Sequence, residues 1–249
     1  NKDKHWWKLI KDVMNTNGKS DSIPNLEVGG RDIEDDTEKA QVFNDFFLDL
    51  STLDDRNATL PNGNGPINNT TLNSILITEK DVLDQLQILD TTKAHGPDEI
   101  SSRLLKKAAK PISKILQFIF NLSLRTSVFP SEWKKANVIP IFKKGNKFDI
   151  NNYRPVSLLS VVAKVFERIV FKYVYNHFKD NFIISLHQSG FIPGCSTITQ
   201  LLEVYNKFCK ADDEGKEIRV VFLDISKAFD KVWHVGLLYK LRQCGIGGA

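Results

Sequence analysis

Residues 218–225 (IRVVFLDI) constrain the fold more than any other stretch of this chain. The run is apolar, rich in β-branched side chains and eight residues long, which is the signature of a strand. A chain carrying such a strand must build a sheet, so an all-helical fold is excluded. The run also contains a carboxylate, Asp224. An ionised side chain at the end of an apolar strand is costly unless a partner compensates it. A divalent cation is one such partner, since Mg²⁺ takes carboxylate oxygens and keeps positions for substrate phosphates. Capping of the following turn, or pairing with a lysine, is the structural alternative. Asp230 follows six residues later. The two carboxylates together are also compatible with an Mg²⁺-dependent phosphotransferase or nuclease.

Helical periodicity dominates the rest. Ser160 to Phe178 places Val162, Val165, Phe166, Ile169, Val170, Tyr173 and Val174 on a 3.6-residue period. Helices are also predicted over Glu38–Leu50, after a Thr78/Asp81 capping box, from Pro111 with Ile112, Ile115, Leu116, Ile119 and Phe120 on one side, over Ser196–Lys210, and over His234–Gln243. Ala136–Phe142 (ANVIPIF) is predicted as an edge strand, because Pro140 cannot donate to a ladder. Asp212-Asp213, followed by Glu214-Gly215-Lys216, reads as a hairpin turn. Trp6-Trp7 opens a short amphipathic segment, and Pro61-Asn62-Gly63-Asn64-Gly65-Pro66 reads as a flexible connector. The expected class is therefore α+β, helix-rich with few antiparallel strands.

The 249 residues, 41% hydrophobic and 26% charged, fit a soluble globular protein. No apolar run approaches the roughly 18–20 residues of a membrane span, so no membrane partner is expected. The N-terminal stretch has no apolar targeting segment, and three scattered cysteines fit reduced thiols, so an intracellular location, nucleus or cytoplasm, is expected. The sequons at Asn57, Asn68, Asn69 and Asn121 are then chance occurrences. The net charge of +4 conceals an asymmetry: residues 1–100 hold 10 Lys/Arg against 19 Asp/Glu, and residues 101–249 hold 24 against 11. A half-chain with thirteen excess cations is suited to a polyanion.

Trp133 to Arg154 carries Lys134, Lys135, Lys143, Lys144, Lys147 and Arg154 with one acid, Asp149. A strand, a Lys-Lys-Gly corner and an Arg describe a hairpin presenting cations, as a triphosphate requires. A solvated basic loop is the plainer alternative. His95 in the tight turn Gly96-Pro97-Asp98 reads as a surface residue, with no second ligand at metal spacing. Gln188-Ser189-Gly190-Phe191-Ile192-Pro193-Gly194 leads to Ser196 as a helix cap.

In order, KAHGPDEI (93–100), WKKANVIPIFKKG (133–145), NYRPVSLLSVVAKVFERIV (152–170), HQSGFIPGCST (187–197) and FLDISKAFDKV (222–232) resemble the reverse transcriptase of a jockey-like non-LTR retrotransposon. The resemblance implies a right-hand polymerase, of which residues 78–249 would be a truncated domain with fingers and the start of the palm. Residues 1–53 would be a helical segment connecting endonuclease to polymerase, and 54–77 a linker. It implies transfer of deoxynucleotides to a primer 3′-hydroxyl by two-metal catalysis, with Mg²⁺ (or Mn²⁺), an RNA template, a DNA primer and deoxynucleoside triphosphates. Asp224 would be the catalytic metal-binding aspartate and the Ile225 carbonyl a further ligand. Ser226, Lys227 and Ala228 would lie under the triphosphate, and Phe229 would reject a ribose 2′-hydroxyl. Lys143 or Lys144, with Arg154, would hold the triphosphate; Gln188 and Gly190 would sit beside template and nucleotide. Three departures stand out. No Asp-Asp pair follows residue 224, Ile192 stands where the family has a basic residue, and Glu99 stands where it commonly has glycine. The implied outcome is an inactive fragment with an apolar strand left unpaired and prone to aggregate. A non-catalytic nucleic-acid-binding remnant of a mobile element is the alternative.

Overall fold

A computed structural model describes residues 23–61 and 70–248. The Trp6-Trp7 segment, the sequons at Asn68 and Asn69, and the connector from Asn62 to Pro66 lie outside the described residues. The described chain is helix-rich α+β and falls into two units. No helix among the described residues is long and apolar enough to cross a membrane.

The first unit joins residues 23–52 to 138–157. Strands β1 (Leu26–Val28) and β2 (Arg31–Ile33) form an antiparallel hairpin with Leu26 opposite Ile33. Gly29 and Gly30 both have positive φ, +59° and +77°, as the tight two-residue turn requires. Helix α1 (Asp36–Ser51) starts where the Asp35 carboxylate accepts from the Glu38 amide at 2.9 Å. Its Phe43 and Phe47, one turn apart, stack at 5.5 Å, and Tyr153 meets Phe43 edge-on at 5.0 Å. These rings, with Leu26, Ile33 and Ile150, are the unit's core. Each such side chain contributes about 1.5–3 kcal/mol on burial. Lys39 is buried too, its ammonium donating to the Ile23 carbonyl and to Asp36, both at 3.1 Å. Among the described residues strand β3 (Ala136–Phe142) pairs only with β4 (Tyr153–Leu159), so Pro140 and Pro155 sit in edge strands.

The second unit holds 53–61, 70–137 and 158–248. Its core lies among α2 (Glu79–Gln87), α3 (Ser102–Lys107), α4 (Ala109–Thr126) and α5 (Val161–Asp180). Val82 and Leu86 of α2 and Val165, Phe166 and Ile169 of α5 are almost fully buried. Phe120 stacks on Phe166 at 4.9 Å, with Trp133 edge-on to Phe120 at 5.8 Å. The Thr78/Asp81 capping box is present, and Asp81 also accepts from Lys172 at 3.3 Å and Tyr173 at 3.1 Å on α5. Asn121 clasps residue 77, accepting from its amide at 2.9 Å and donating to its carbonyl at 2.8 Å. Gly96 abuts the start of α5 so closely that a Cβ there would lie 2.5 Å from the Leu159 carbonyl carbon and the Ser160 nitrogen. Helices α6 (Thr197–Asp213) and α7 (His234–Gln243) bury no residue fully. After α7, Gly245 O accepts from Leu72 N at 2.8 Å, and Leu72 O accepts from Gly247 N at 3.1 Å.

Three expectations are corrected. The strand predicted over 218–225 does not form: the segment is irregular, and Phe222 and Leu223 are 91% and 92% exposed. A strand is stable only when a neighbour completes its ladder, and neither two-stranded sheet supplies one. Asp212-Asp213 ends helix α6 instead of forming a hairpin turn; Glu214 is the C-cap and Gly215 takes φ +65°. Ile115 points out from the core, because Ile112 and Leu116 already fill that side of α4.

Candidate functional site

The β3–β4 hairpin presents its cations as the sequence predicts. Phe142 and Tyr153 face the first unit's core, with ring centroids 5.6 Å apart. Alternation along a strand therefore sends Lys143 and Arg154 to the opposite, exposed side. The Lys143 amide donates to the Asn152 carbonyl at 2.8 Å, which closes the ladder next to Arg154. Lys144 and Gly145 (φ +95°) form the corner, and Asn152 fills the space against Gly145. The far end of the loop is held down: the Tyr153 hydroxyl donates to the Lys147 carbonyl at 2.8 Å, and the Lys147 ammonium lies 5.5 Å from the Phe142 ring. Burial of Tyr153 raises its phenol above the usual range, so it stays a donor.

In the second unit, Gln188 and Gly190 lie in the loop between α5 and α6. The Gln188 side chain donates to the Gly190 carbonyl at 3.3 Å, and Ser189 bonds Gln200 on α6. Ser196 caps α6 in a box with Thr199. Phe191 takes φ +62°, and its ring meets that of Phe229 edge-on at 5.9 Å. This ring contact joins the loop of Gln188 and Gly190 to Phe229, at the end of the 226–229 segment. Lys227 is itself left-handed (φ +53°) and its carbonyl accepts from Lys231 at 3.0 Å, so the backbone turns sharply there. Phe191 is the residue that sequence reasoning did not single out. Its signal was an aromatic beside a glycine in a loop otherwise built of polar and turn residues.

Asp224 and Asp230 are both exposed. No group of three or more His, Cys, Asp or Glu capable of holding a metal occurs among the described residues. One carboxylate and the Ile225 carbonyl are fewer protein ligands than a two-metal centre needs, so the described residues do not by themselves fit the Mg²⁺ pair that the resemblance implies. His95, as expected, is an exposed turn residue, its Nδ1 3.3 Å from the Gly96 carbonyl. Glu99 closes the same turn, donating its amide to the Gly96 carbonyl at 3.1 Å, with φ +55°. That left-handed position is where glycine costs least.

Residues 141–248 match the family model for reverse transcriptase (RNA-dependent DNA polymerase). The chain is 33% identical over 170 residues to the probable RNA-directed DNA polymerase from transposon BS of Drosophila melanogaster, covering 67% of this chain and 18% of that protein. It is 36% identical over 152 residues to the probable RNA-directed DNA polymerase from transposon X-element of the same fly, covering 61% and 17%. It is 36% identical over 169 residues to the RNA-directed DNA polymerase from mobile element jockey, again of that fly, covering 67% and 18%. The chain thus spans less than a fifth of the length of these curated relatives. Lys143, Lys144, Arg154, the Gln188 loop and Asp224 fall within the matched region, and the chain is similar to the reverse transcriptases of jockey-like mobile elements.

Proposed function

We propose that this chain is part of an RNA-directed DNA polymerase of a retrotransposon, contributing the nucleotide-facing portion of a right-hand polymerase. In that reaction the primer 3′-oxygen forms a bond to the α-phosphorus of a deoxynucleoside triphosphate, and pyrophosphate leaves. The chain's own residues would bind and orient. Arg154 would grip a phosphate bidentately, with Lys143 beside it as a point charge on the same side of the hairpin. Phe229 would stand against the sugar, and Asp224 would be the single carboxylate donated to a metal centre completed by residues outside the described set. The carrying observation is the Phe191–Phe229 contact, which joins two motifs 38 positions apart in the sequence. Members of the family use divalent metals; Mg²⁺ is the proposed ion here, and an RNA template, a primer and deoxynucleotides are the proposed partners.

A non-catalytic nucleic-acid-binding role is the second reading, favoured by the exposure of Asp224 on an irregular segment. Primer extension separates the two. Residues 141–248 are grafted in place of the matching segment of the jockey polymerase, and extension on an RNA template is measured with Mg²⁺. Extension that falls at least 100-fold in Asp224→Asn supports the polymerase reading. Extension indifferent to Asp224→Asn, or lost in the graft while the jockey polymerase itself extends, overturns it. The ungrafted chain should extend nothing, because ligand count sets metal affinity.

A further inference from the structure

From Ile100 to Ser131 the chain carries six Lys/Arg and no Asp or Glu. Four of the six fall at one helical repeat: Arg103, Lys107, Lys110 and Lys114. Helices α3 and α4 are separated by Ala108 alone, which caps both: its amide donates to Leu104 O at 2.9 Å and its carbonyl accepts from Ile112 N at 3.2 Å, and the buried positions Ser102 and Leu105 before it and Ala109 and Ser113 after it keep one helical phase. The repeat therefore carries over from one helix to the next. At 100° per residue the four side chains fall within about 60° of one another, and neighbours in the row stand about 5–6 Å apart. All four are exposed, and none has an ion pair among the described residues. Lys106, on the flank, is different: its ammonium is tied to the Leu89 carbonyl at 3.1 Å.

Unpaired like charges this close repel one another. The fold does not need them in this register, because the opposite side of the helices, with Leu105, Ala109, Ser113 and Phe120, makes the core. One turn past Lys114, the row ends in Phe118, which is 63% exposed. A line of cations leading to an open aromatic ring matches a polyanion that also carries flat bases to stack. An interfacial membrane helix would instead need its apolar side free, and here that side is packed against α2 and α5.

We propose that Arg103, Lys107, Lys110 and Lys114, with Phe118, form a binding track for single-stranded nucleic acid. Phosphates lie along the four cations and a base stacks on the ring. The track lies outside the matched residues 141–248 and stands on its own charge geometry, so it holds or fails independently of the polymerase reading.

The test measures binding of the whole chain to a fluorescent 20-nucleotide RNA by anisotropy across a salt series. In the variant Arg103→Gln, Lys107→Gln, Lys110→Gln, Lys114→Gln the log K against log salt slope should shrink by about 3, since each neutralised phosphate of a single strand contributes about 0.7. The control is Arg56→Gln, Lys135→Gln, Lys207→Gln, Lys216→Gln. It removes the same charge from residues paired with Asp54, Glu132, Glu203 and Glu214, and should leave the slope within 1 of wild type. Phe118→Ala should weaken binding about tenfold with the slope unchanged. Circular dichroism checks that each variant is folded. Equal slopes in the two quadruple variants, or absence of RNA binding by the wild-type chain, overturn the track. So does a preference of the row for phosphatidylserine vesicles over RNA. Failure here with Asp224-dependent extension in the graft would sink the track alone.

Discussion

Glu99 shows how one side chain records a compromise. The Gly96-Pro97-Asp98-Glu99 turn ends in a left-handed residue, and an L-residue with a Cβ is strained there by about 1 kcal/mol. Glu99→Gly should therefore raise the urea midpoint at unchanged slope, with an unfolding free energy higher by up to about 0.5 kcal/mol, the freedom glycine adds to the unfolded chain offsetting the rest of the relieved strain. An unchanged or lower midpoint would show that the Glu99 side chain gives back what its backbone loses. Gly96, three residues earlier, has no such latitude, because backbone atoms of Leu159 and Ser160 occupy the place of a Cβ.

At the scale of elements, the exposed 218–225 segment makes the sharpest prediction. Phe222 and Leu223 touch water over nearly their whole surface, so Phe222→Ser with Leu223→Ser should leave the melting free energy within about 0.5 kcal/mol of wild type. The same pair should raise the monomer fraction in light scattering, since an exposed apolar stretch of high strand propensity promotes association. A destabilisation above 2 kcal/mol would mean that the segment is packed in solution. This is also where the sequence was least legible. Strand β3 and helix α7 fall on their predicted residues, and α1 and α5 on theirs within two, because periodicity, caps and Pro140 are local signals. A strand is a property of two segments, and 218–225 has no partner in the described chain. The β1–β2 hairpin was legible but unread: Gly29-Gly30 between Leu26-Glu27-Val28 and Arg31-Asp32-Ile33 is a turn signal that a three-residue strand made easy to pass over. In the candidate site, the cations of the hairpin followed from spacing, whereas the Phe191–Phe229 contact could not, since it depends on how two loops fold back. The row from Arg103 to Lys114 was equally available as an i, i+4, i+7, i+11 repeat; net charge over a half-chain hid it.

For the molecule as a whole, acid should be the perturbation to which stability answers most directly. Burial alone would raise the Asp81 carboxyl, but hydrogen bonds from the Thr78 hydroxyl and amide, Lys172 and Tyr173 outweigh it and hold it below its ordinary 3.8. Tyr173 is raised in return, by burial and by its bond to Asp81. A folded-state value below the unfolded one means stability that is complete above about pH 5 and drains as pH falls through 3.8 toward the folded value. Asp81→Asn should flatten that decline in chemical denaturation from pH 5 to 3, leaving a residue from Asp90, which Thr92 holds down in the same way. An undiminished slope would place the acid sensitivity elsewhere. The pairing of residue 72 with residues 245 and 247 has a different consequence, one of timing. Both peptide groups of Leu72 are satisfied by residues more than 170 positions later. A ribosome must therefore deliver the chain through residue 247 before that stretch can dock, and until then the emerging chain exposes it to chaperones and proteases.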